Sequence, residues 1–414
     1  MIQGAECLAQ TGEQHPADAA TQKGKPLLLR GRPEPESPFE FAVTFDALYE
    51  SMWKCRRGKL WKASVARYVL HGIDETLKLE EQIKAGKYLP RKPHTFTLTY
   101  PKERPCSSTH IRDRIVQRSL NDNVIYPAMT RSFIWDNMAC QQGKGTTMAM
   151  DRLDRFLHRY YINNKNSNEG WVLQCDVEGY YRNMPHVKAR ECFARKLDGK
   201  TLDNAMAWLQ RQYPYDTGFE PGSQMVQILG ISLLDPMDHA AKEKLRAKIY
   251  ERYMDDFIVV SSSYTFLEEA RKLFSEELSA VGLWLHERKT RIYPLRDGIK
   301  MLGFTFRLTD SGKVLRIIDP KNVKHERKKL RRMSALVKAG KMARDKFDEC
   351  FCSWKAHANM GNSYRLIQSM DGYVKSLFAE DTKNESSAEG NCGAEKTPGA
   401  DAERHGEAGS NHGL

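Results

Sequence analysis

The stretch Arg252-Tyr253-Met254-Asp255-Asp256-Phe257-Ile258-Val259-Val260 places two adjacent carboxylates between apolar segments. Its second half is β-branched and aromatic, so the pattern predicts a β-hairpin whose tight turn holds Asp255 and Asp256. Two like charges that close are costly unless a cation neutralises them. Carboxylate oxygens suit Mg²⁺, which also recruits phosphate ligands. A solvated Asp-Asp turn is the simpler alternative, but the apolar flanks favour a turn held on buried strands.

A third acid ends another apolar run. The segment Trp171-Val172-Leu173-Gln174-Cys175-Asp176-Val177 reads as a buried strand, and an unpaired charge near its end would be expensive. A metal ion shared with Asp255 and Asp256 would neutralise Asp176. The 79 residues from Asp176 to Asp255 leave room for two helices and a return strand.

The composition indicates a soluble globular protein. The chain has 414 residues, of which 40% are hydrophobic and 29% charged, and its length allows two or three domains. No apolar run reaches the length of a membrane span and the N-terminus has no signal-peptide pattern, so we expect a cytoplasmic protein without a membrane partner. The nine cysteines are scattered without a paired motif, which indicates reduced thiols and no zinc site.

The charge is distributed unevenly. The net charge is +12, but residues 380–414 carry −5, so the remainder carries +17. A body this basic suggests a polyanionic partner, with nucleic acid the leading candidate. An ordinary basic protein is the alternative that charge alone does not exclude.

The N-terminal part of the sequence changes from a polar segment to one with helical periodicity. Residues 1–38 are polar and predicted to be disordered, whereas residues 39–94 predict a helical extension with helices near 44–55 and 63–79. Basic residues surround Trp61 between these helices. They would grip a phosphate backbone while the indole stacks on bases, or they form a plain turn with Trp61 in the core. The two interpretations weigh equally.

Two further segments carry basic or glycine-rich patterns. Residues 95–100 predict a strand, which a Pro- and Lys-rich turn ends, and a basic helix opens at Ile111. This arrangement would clamp a triphosphate or a template strand. The Gly-rich segment at 142–147 is not a Walker loop, because its glycine spacing is wrong and no strand leads into it.

Taken in order, these motifs resemble those of bacterial reverse transcriptases, in the lineage of group II introns, retrons and diversity-generating retroelements. The resemblance covers about residues 95–307, and the ordered set is far more specific than any one motif. The segments that carry it are the box Tyr253-Met254-Asp255-Asp256, the palm motif Asp176-Val177-Glu178-Gly179-Tyr180-Tyr181, the finger motif Ala139-Cys140-Gln141-Gln142-Gly143-Lys144-Gly145-Thr146 and the primer-grip motif Met301-Leu302-Gly303-Phe304.

The resemblance implies an α+β right-hand polymerase fold. Fingers and a palm with an antiparallel sheet would occupy residues 95–310, a helical thumb residues 311–378, and a disordered acidic tail residues 379–414. The basic run at 324–332 would then track phosphates along the thumb. No second acidic cluster suggests a ribonuclease H domain, and no paired-cysteine or His-rich segment suggests a homing endonuclease.

The resemblance also implies roles for individual residues. Asp176, Asp255 and Asp256, with the Val177 carbonyl, would bind two Mg²⁺ ions, which Mn²⁺ could replace. Lys289 would protonate the leaving pyrophosphate, and the Tyr181 side chain would exclude ribonucleotides. The other implied nucleotide-binding residues are Lys102, Arg104, Arg112, Gly222 and Gln227.

The implied partners are a template RNA, a primer and deoxynucleoside triphosphates, with an accessory protein of a retroelement or antiviral defence locus as a further possibility. Gln227 matches the retroelement subgroup, in which Gln stands where group II intron enzymes have Pro, whereas Val226 departs from the Ser before it. Hypermutation, phage defence and retrotransposition all stay open as roles. Two rival functions are a catalytically silent RNA-binding protein, which the three aspartates disfavour, and an RNA-templated RNA polymerase, which the bulky Tyr181 disfavours.

Overall fold

The computed structural model describes residues 35–98, 104–220 and 222–379, apart from the side chains of Arg104 and Pro105. Lys102 lies outside these ranges, as do nearly all of the residues predicted to be disordered, at 1–38 and 379–414. The chain divides into two compact units. One comprises Met1–Leu302 with Arg307–Val314, and the other comprises Gly303–Phe306 with Leu315–Leu414.

The N-terminal extension is helical, as predicted. Its helices are α1 (Pro38–Ala42), α2 (Phe45–Arg56), α3 (Ala63–Leu70) and α4 (Gly72–Lys84). Thr44 caps α2 by accepting a hydrogen bond from the Ala47 amide. The single helix predicted at 63–79 is wrong, because the chain leaves the helical conformation at His71. Gly72 then packs so tightly on α2 that a Cβ there would lie 2.9 Å from the Met52 sulfur.

The next segment forms a small hairpin and a broken helix. The elements are β1 (His94–Leu98), β2 (Arg104–Ser108), α5 (Ile111–Leu120), a π-helical turn (Asn121–Ile125) and α6 (Tyr126–Thr130). β1 and β2 pair antiparallel, with Leu98 opposite Arg104. The helix at Ile111 is confirmed, and the His110 side chain caps it by accepting from the Arg112 amide.

The central sheet joins distant parts of the sequence. The helices before and within it are α7 (Thr146–Asn163), α8 (Tyr180–Asn183), α9 (His186–Ala194), α10 (Gly199–Gln212), α11 (Gln224–Leu233), α12 (Asp235–His239, continued by a π-helical turn at Ala240–Lys244) and α13 (Tyr264–Ala280). The strands are β3 (Trp171–Asp176), β4 (Tyr250–Tyr253), β5 (Asp256–Ser261), β6 (Arg291–Pro294) and β7 (Ile299–Met301), with a 3₁₀ turn at Leu295–Asp297. The first four run antiparallel in the order β4-β5-β3-β6.

Burial sets the register of this sheet. Val172 and Leu173 point to opposite faces of β3, and both are 0% exposed, so both faces are covered there. On β5, the Phe257 ring packs edge-on against Phe274 of α13, with centroids 5.1 Å apart. A slip of one residue would exchange the two faces of each strand, so the packing holds the β3–β5 pairing in one register.

The strand predicted at 283–292 is correct only at its end. Residues 283–290 are irregular, and β6 begins at Arg291. The Trp284 carbonyl accepts from the Glu178 amide and the His286 amide donates to the Asp176 carbonyl. These backbone groups therefore bond to the end of β3 and the loop after it, and do not form a continuous ladder.

The C-terminal elements are β8 (Phe304–Leu308), β9 (Val314–Ile318), α14 (Pro320–Lys338), α15 (Arg344–Ala358) and α16 (Tyr364–Phe378). The three helices pack around Leu330, Phe347 and Met370, which are fully buried. Of residues 311–378, which were expected to form a helical thumb, residues 314–318 form β9, and helix begins at Pro320, shortly before the basic run at 324–332. Among the described residues, no helix is both long and apolar enough to cross a membrane.

Candidate active site

The sheet register brings the predicted carboxylates together. Asp176 at the end of β3 lies directly opposite Asp256, the first residue of β5. Asp255 and Met254 form the two-residue turn between β4 and β5, with Met254 in the left-handed region at φ 60°. The prediction that both Asp255 and Asp256 lie in the turn is therefore wrong for Asp256. Cross-strand pairing brings it to Asp176 instead.

Electrostatics around Asp256 reflect this crowding. Burial and the negative charges of Asp255 and Asp176 raise the pKa of the Asp256 carboxyl to about 7. The Lys289 ammonium donates to Asp176 Oδ2 at 2.7 Å, and this contact raises the pKa of Lys289. Lys289 lies in a turn at 287–289, within reach of the carboxylates. Among the described residues, the carboxylates of Asp176, Asp255 and Asp256 all lie near this ammonium.

This donor set fits a divalent cation. Carboxylate oxygens are hard ligands, and a cation would offset the repulsion from Asp255 and Asp176 that helps to raise the pKa of Asp256. Val177 follows Asp176 and pairs with Leu285 in an isolated bridge. Within residues 35–98, 104–220 and 222–379, no group of three or more His, Cys, Asp or Glu side chains forms a ready-made metal site. An open set of this kind suits an ion that keeps water and takes phosphate oxygens as further ligands.

A buried arginine supports the catalytic turn. Arg252 and Asp238 are both 0% exposed, and the guanidinium donates to both Asp238 oxygens, with Nε 2.7 Å from Oδ1. The same group donates to the Met254 carbonyl in the turn and to the Ile231 carbonyl of α11, each at 2.9 Å. Arg252 is not among the functional residues predicted from the sequence, although a charged residue next to an apolar strand is a signal for it.

We expect Arg252→Met to lower the free energy of unfolding by about 3–5 kcal/mol, because Asp238 would be left buried without its cation. Urea denaturation followed by circular dichroism measures this. Lys248→Met is the matched control, since Lys248 is exposed just before β4 and should change little. An unfolding free energy for Arg252→Met equal to that of the control would contradict the assignment.

The two tyrosines after β3 have different surroundings. Tyr180 is 3% exposed and its hydroxyl donates to the Gly230 carbonyl of α11. Tyr181 packs edge-on against Tyr180 with ring centroids 5.2 Å apart, and its buried hydroxyl has no hydrogen-bond partner among the described residues. A Cβ on Gly230 would lie 2.7 Å from the Tyr181 hydroxyl oxygen. The small residue at 230 therefore makes room for the Tyr181 ring.

A second cluster of charge lies between the N-terminal extension, α5 and the start of α11. This cavity of about 240 Å³, here called the basic pocket, is lined by Lys54, Cys55, Arg57, Lys59, Arg114, Gln117, Arg118, Gly222, Ser223, Gln224 and Gln227. Burial and the neighbouring Arg114 lower the pKa of Lys59. Asp122 pairs with both Lys54 and Arg118, at 3.3 and 2.7 Å. Five cations around one cavity make it suited to an anion.

Comparison with protein families decides what this fold is. The profile of the family described as "Reverse transcriptase (RNA-dependent DNA polymerase)" matches residues 91–306, just over half of the chain. The chain belongs to the reverse transcriptase family. Its domain is that of an RNA-directed DNA polymerase, a nucleotidyltransferase, and its mixed helix-and-sheet architecture is the right-hand polymerase fold. Enzymes of this family use divalent metal ions.

Solved structures similar to this reverse transcriptase include telomerases. Apo telomerase from Candida tropicalis, truncated from its C-terminal domain, is 12% identical with a TM-score of 0.42, covering 59% of this chain and 60% of that one. The apo enzyme from Candida tropicalis without that truncation is 11% identical with a TM-score of 0.42, covering 59% of this chain and 53% of that one. Telomerase from Candida albicans in complex with the TWJ fragment of telomeric RNA is 11% identical with a TM-score of 0.43. The match covers 76% of this chain and 65% of that one. The chain thus spans between about half and two thirds of these proteins. A search of curated proteins found no match.

The nucleotide-binding residues expected in the reverse transcriptase fall in different places. Gly222 and Gln227 line the basic pocket. A Cβ on Gly222 would lie 2.8 Å from the Ser107 carbonyl oxygen, so this position needs glycine. Val226, beside Gln227, is 0% exposed and faces the core. Lys102 and the side chain of Arg104 lie outside the described part of the chain.

Arg112 points to the N-terminal extension. Its guanidinium donates to the Leu89 carbonyl at 2.8 Å and to Gln82 Oε1 at 3.2 Å. The arginines of α5 that line the basic pocket are Arg114 and Arg118, which are not among the site residues predicted from the sequence. Their spacing of four residues places them on one face of the helix, and this was a signal that could have found them.

Trp61 is 79% exposed, so the interpretation that it lies in the core is wrong. Its indole Nε1 donates to the Gly58 carbonyl at 3.2 Å, and the Lys62 ammonium lies 5.1 Å from the ring centroid. Trp53 is also 40% exposed, with the Arg56 guanidinium 3.8 Å from its ring. The alternative, that the Trp61 ring stacks on nucleic-acid bases, stays a prediction.

Proposed function

We propose that this reverse transcriptase extends a primer on an RNA template by two-metal nucleotidyl transfer. The observation that carries the proposal is the meeting of Asp176, Asp255 and Asp256 at one end of the sheet, with the pKa of Asp256 raised to about 7. Such a site favours a ligand that brings positive charge, as a magnesium-bound triphosphate does. The order of the sequence motifs supports a bacterial retroelement or defence-type system as its setting.

The residues would divide the chemistry between them. Two Mg²⁺ ions held by Asp176, Asp255, Asp256 and the Val177 carbonyl would lower the pKa of the primer 3′-hydroxyl and neutralise the triphosphate. The 3′-oxygen attacks the α-phosphorus, and the bond to the bridging oxygen of pyrophosphate breaks. Lys289, already 2.7 Å from Asp176, would donate a proton to that leaving oxygen.

The basic pocket would hold phosphates of the template or of the incoming nucleotide. Its five cations outnumber the nearby Asp122 carboxylate, and charge-assisted contacts of arginine to phosphate are strong. The exposed Trp61, two positions after the pocket residue Lys59, would stack on unpaired bases. Lys102, Arg104 and Arg112 remain candidates for contacts to the incoming nucleotide.

Primer extension tests the proposed function directly. Purified protein, a defined RNA template, an annealed DNA primer, Mg²⁺ and deoxynucleotides should give full-length DNA. A silent RNA-binding protein would bind the hybrid without extending it. An RNA polymerase would prefer ribonucleotides in the same assay.

Asp256→Asn should stabilise the protein when no divalent cation is present. The folded-state pKa of about 7 exceeds the ordinary value of 3.8, so the folded state binds this proton more tightly than the unfolded state. The resulting stability is present below pH 3.8 and is lost as pH rises through 7. Because the Asp256 side chain is exposed, solvent screens its repulsion with the neighbouring carboxylates, so the variant should gain about 1 kcal/mol at pH 8 and less at pH 5.

The melting temperatures of wild type and Asp256→Asn, measured first in EDTA and then in Mg²⁺, check this expectation. Mg²⁺ should raise the melting temperature of the wild type more than that of Asp256→Asn. Asp74→Asn, at an exposed position of α4, is the control and should be unaffected at both pH values. Equal behaviour of the two variants would show that Asp256 does not take part in cation binding.

Substitution of Gln227 should change the error spectrum of synthesis, because its side chain lines the basic pocket and matches the retroelement subgroup. The Gln227 amide donates to the Ser223 carbonyl at 3.1 Å, so Gln227→Pro would also remove a helical hydrogen bond. Gln227→Ala keeps that bond and isolates the side chain. Sequencing of products from a defined template measures both variants, and error rates equal to wild type would remove the idea.

A further inference from the structure

A basic groove lies on the first unit, away from the carboxylates. It has a volume of about 760 Å³ and runs between α7 and the turn that joins β8 to β9. We call it the α7 groove, and its lining residues are Asp154, Arg155, His158, Arg159, Ile162, Ser311, Gly312, Lys313 and Val314.

The two walls are joined by specific contacts. The Tyr161 hydroxyl donates to the Asp310 carbonyl at 2.7 Å, and His158 Nδ1 lies 3.3 Å from the Gly312 carbonyl. Gly312 has φ 78°, and a Cβ there would lie 2.6 Å from the Tyr161 ring. Asn168 also donates to the Leu308 carbonyl at 3.2 Å. The groove is therefore formed before any ligand arrives.

The charge of the α7 groove is positive. Arg155, Arg159 and Lys313 are exposed, and Asp154 is the one acid in the lining. The Arg159 and Lys313 side chains form no hydrogen bond or ion pair with another described residue. Arg155 donates only to the Asp151 carbonyl and the Met148 sulfur of its own helix. These cations are available to a polyanion.

The groove lies at the opposite end of β3 from the catalytic carboxylates. The Tyr160 hydroxyl of α7 donates to the Glu169 carbonyl, just before β3, at 2.7 Å. From Trp171 to Asp176 the strand advances roughly 16 Å, at about 3.3 Å per residue. A ligand in the α7 groove would not enter the catalytic site.

We propose that the α7 groove binds the phosphodiester backbone of a base-paired part of the RNA that the enzyme copies; this rests on the proposed function. Three cations along one groove would neutralise phosphates of a duplex, and the counterions bound to those phosphates would be released. The described lining contains no Phe, Tyr or Trp side chain, and unpaired strands are usually held by stacking on such side chains. A second contact would also raise the effective concentration of template near the catalytic site.

The test is binding of the full chain to a fluorescent RNA hairpin without primer, measured by anisotropy across a range of salt concentrations. The groove variant is Arg155→Glu/Arg159→Glu/Lys313→Glu. The control is Lys196→Glu/Lys248→Glu/Lys272→Glu, which makes the same change in net charge at exposed positions outside the groove. A neutral triple, with Gln at the three groove positions, guards against misfolding of the charge-reversed protein.

We expect both groove variants to bind the hairpin at least about 10-fold more weakly than the control. Their plots of log affinity against log salt should be flatter by roughly 2–3 units, since each lost phosphate contact removes about 0.9. Extension of a short unstructured template should stay within about twofold of wild type, because the groove is remote from the carboxylates. Hairpin binding equal to that of the control triple would overturn the proposal.

Two further arms separate the sources of the ligand. The groove substitutions should lower the affinity of the protein for a DNA hairpin of the same sequence less than they lower its affinity for the RNA hairpin. An equal loss would overturn the assignment to RNA. Displacement of the RNA by poly-glutamate at equal charge concentration would favour an acidic protein instead. If wild-type protein fails to extend any primer, the proposed function fails, while the hairpin measurement still decides whether the groove binds RNA.

Discussion

Asp255→Asn should reduce primer extension to background. Asp255 lies in the β4–β5 turn beside the opposed pair Asp176 and Asp256, and its carboxylate is one of three that would hold the metal-bound triphosphate. Asparagine keeps the size of the side chain but removes the charge that attracts a hard cation. The turn itself should persist, because Arg252 still bonds to the Met254 carbonyl.

The measurement is single-turnover extension on an RNA–DNA hybrid, together with the melting temperature and the affinity for the hybrid. Loss of extension with the other two unchanged separates a catalytic role from a structural one. Asp74→Asn, on the exposed surface of α4, serves again as the matched control. Synthesis at the wild-type rate by Asp255→Asn would rule out the two-metal assignment.

Tyr181→Ala should raise the relative kcat/KM for a ribonucleotide over its deoxy counterpart by about 10–200-fold, the range that pocket volume typically supplies. Asp176 would place the metal-bound triphosphate, and Tyr181 follows it by five positions on the same strand-to-helix turn. Its ring is held between Tyr180 and Gly230 and cannot move aside for a 2′-hydroxyl. Incorporation kinetics with paired ribo- and deoxynucleotides measure the preference.

Two variants control for packing. Tyr181→Phe should keep the deoxy preference, because the hydroxyl has no hydrogen-bond partner among the described residues and the ring supplies the volume. Tyr180→Ala should instead mainly destabilise the protein, by about 3–5 kcal/mol, since that ring is 3% exposed. An unchanged sugar preference in Tyr181→Ala would place the discriminating side chain elsewhere.

Local patterns in the sequence were sufficient to predict the strands and the turn that carry the proposed catalytic residues. The hairpin around Asp255 and the strand ending at Asp176 are confirmed, because strand periodicity and a tight turn are properties of neighbouring residues. The same holds for α2 and for the helices after Pro320. The family follows from the order of these motifs, which also lies in the sequence.

Contacts between segments far apart in the sequence could be identified only from the tertiary structure. Lys289 meets Asp176 across 113 residues, and the basic pocket combines segments near positions 54–59, 114–118 and 222–227. No periodicity links such segments, because packing of one element on another decides which side chains converge. The buried pair of Arg252 and Asp238 belongs to the same class.

The direction of each side chain on α5 shows the physical reason most clearly. Arg112 and Arg114 look alike in the sequence, but two residues turn a helix by about 200°, so they face nearly opposite sides. Arg112 bonds to Leu89 of the N-terminal extension, whereas Arg114 lines the basic pocket. The sequence by itself determined that a basic helix begins at Ile111. Only the packing of the N-terminal extension on that helix decided which arginine faces the cavity and that Trp61 faces solvent.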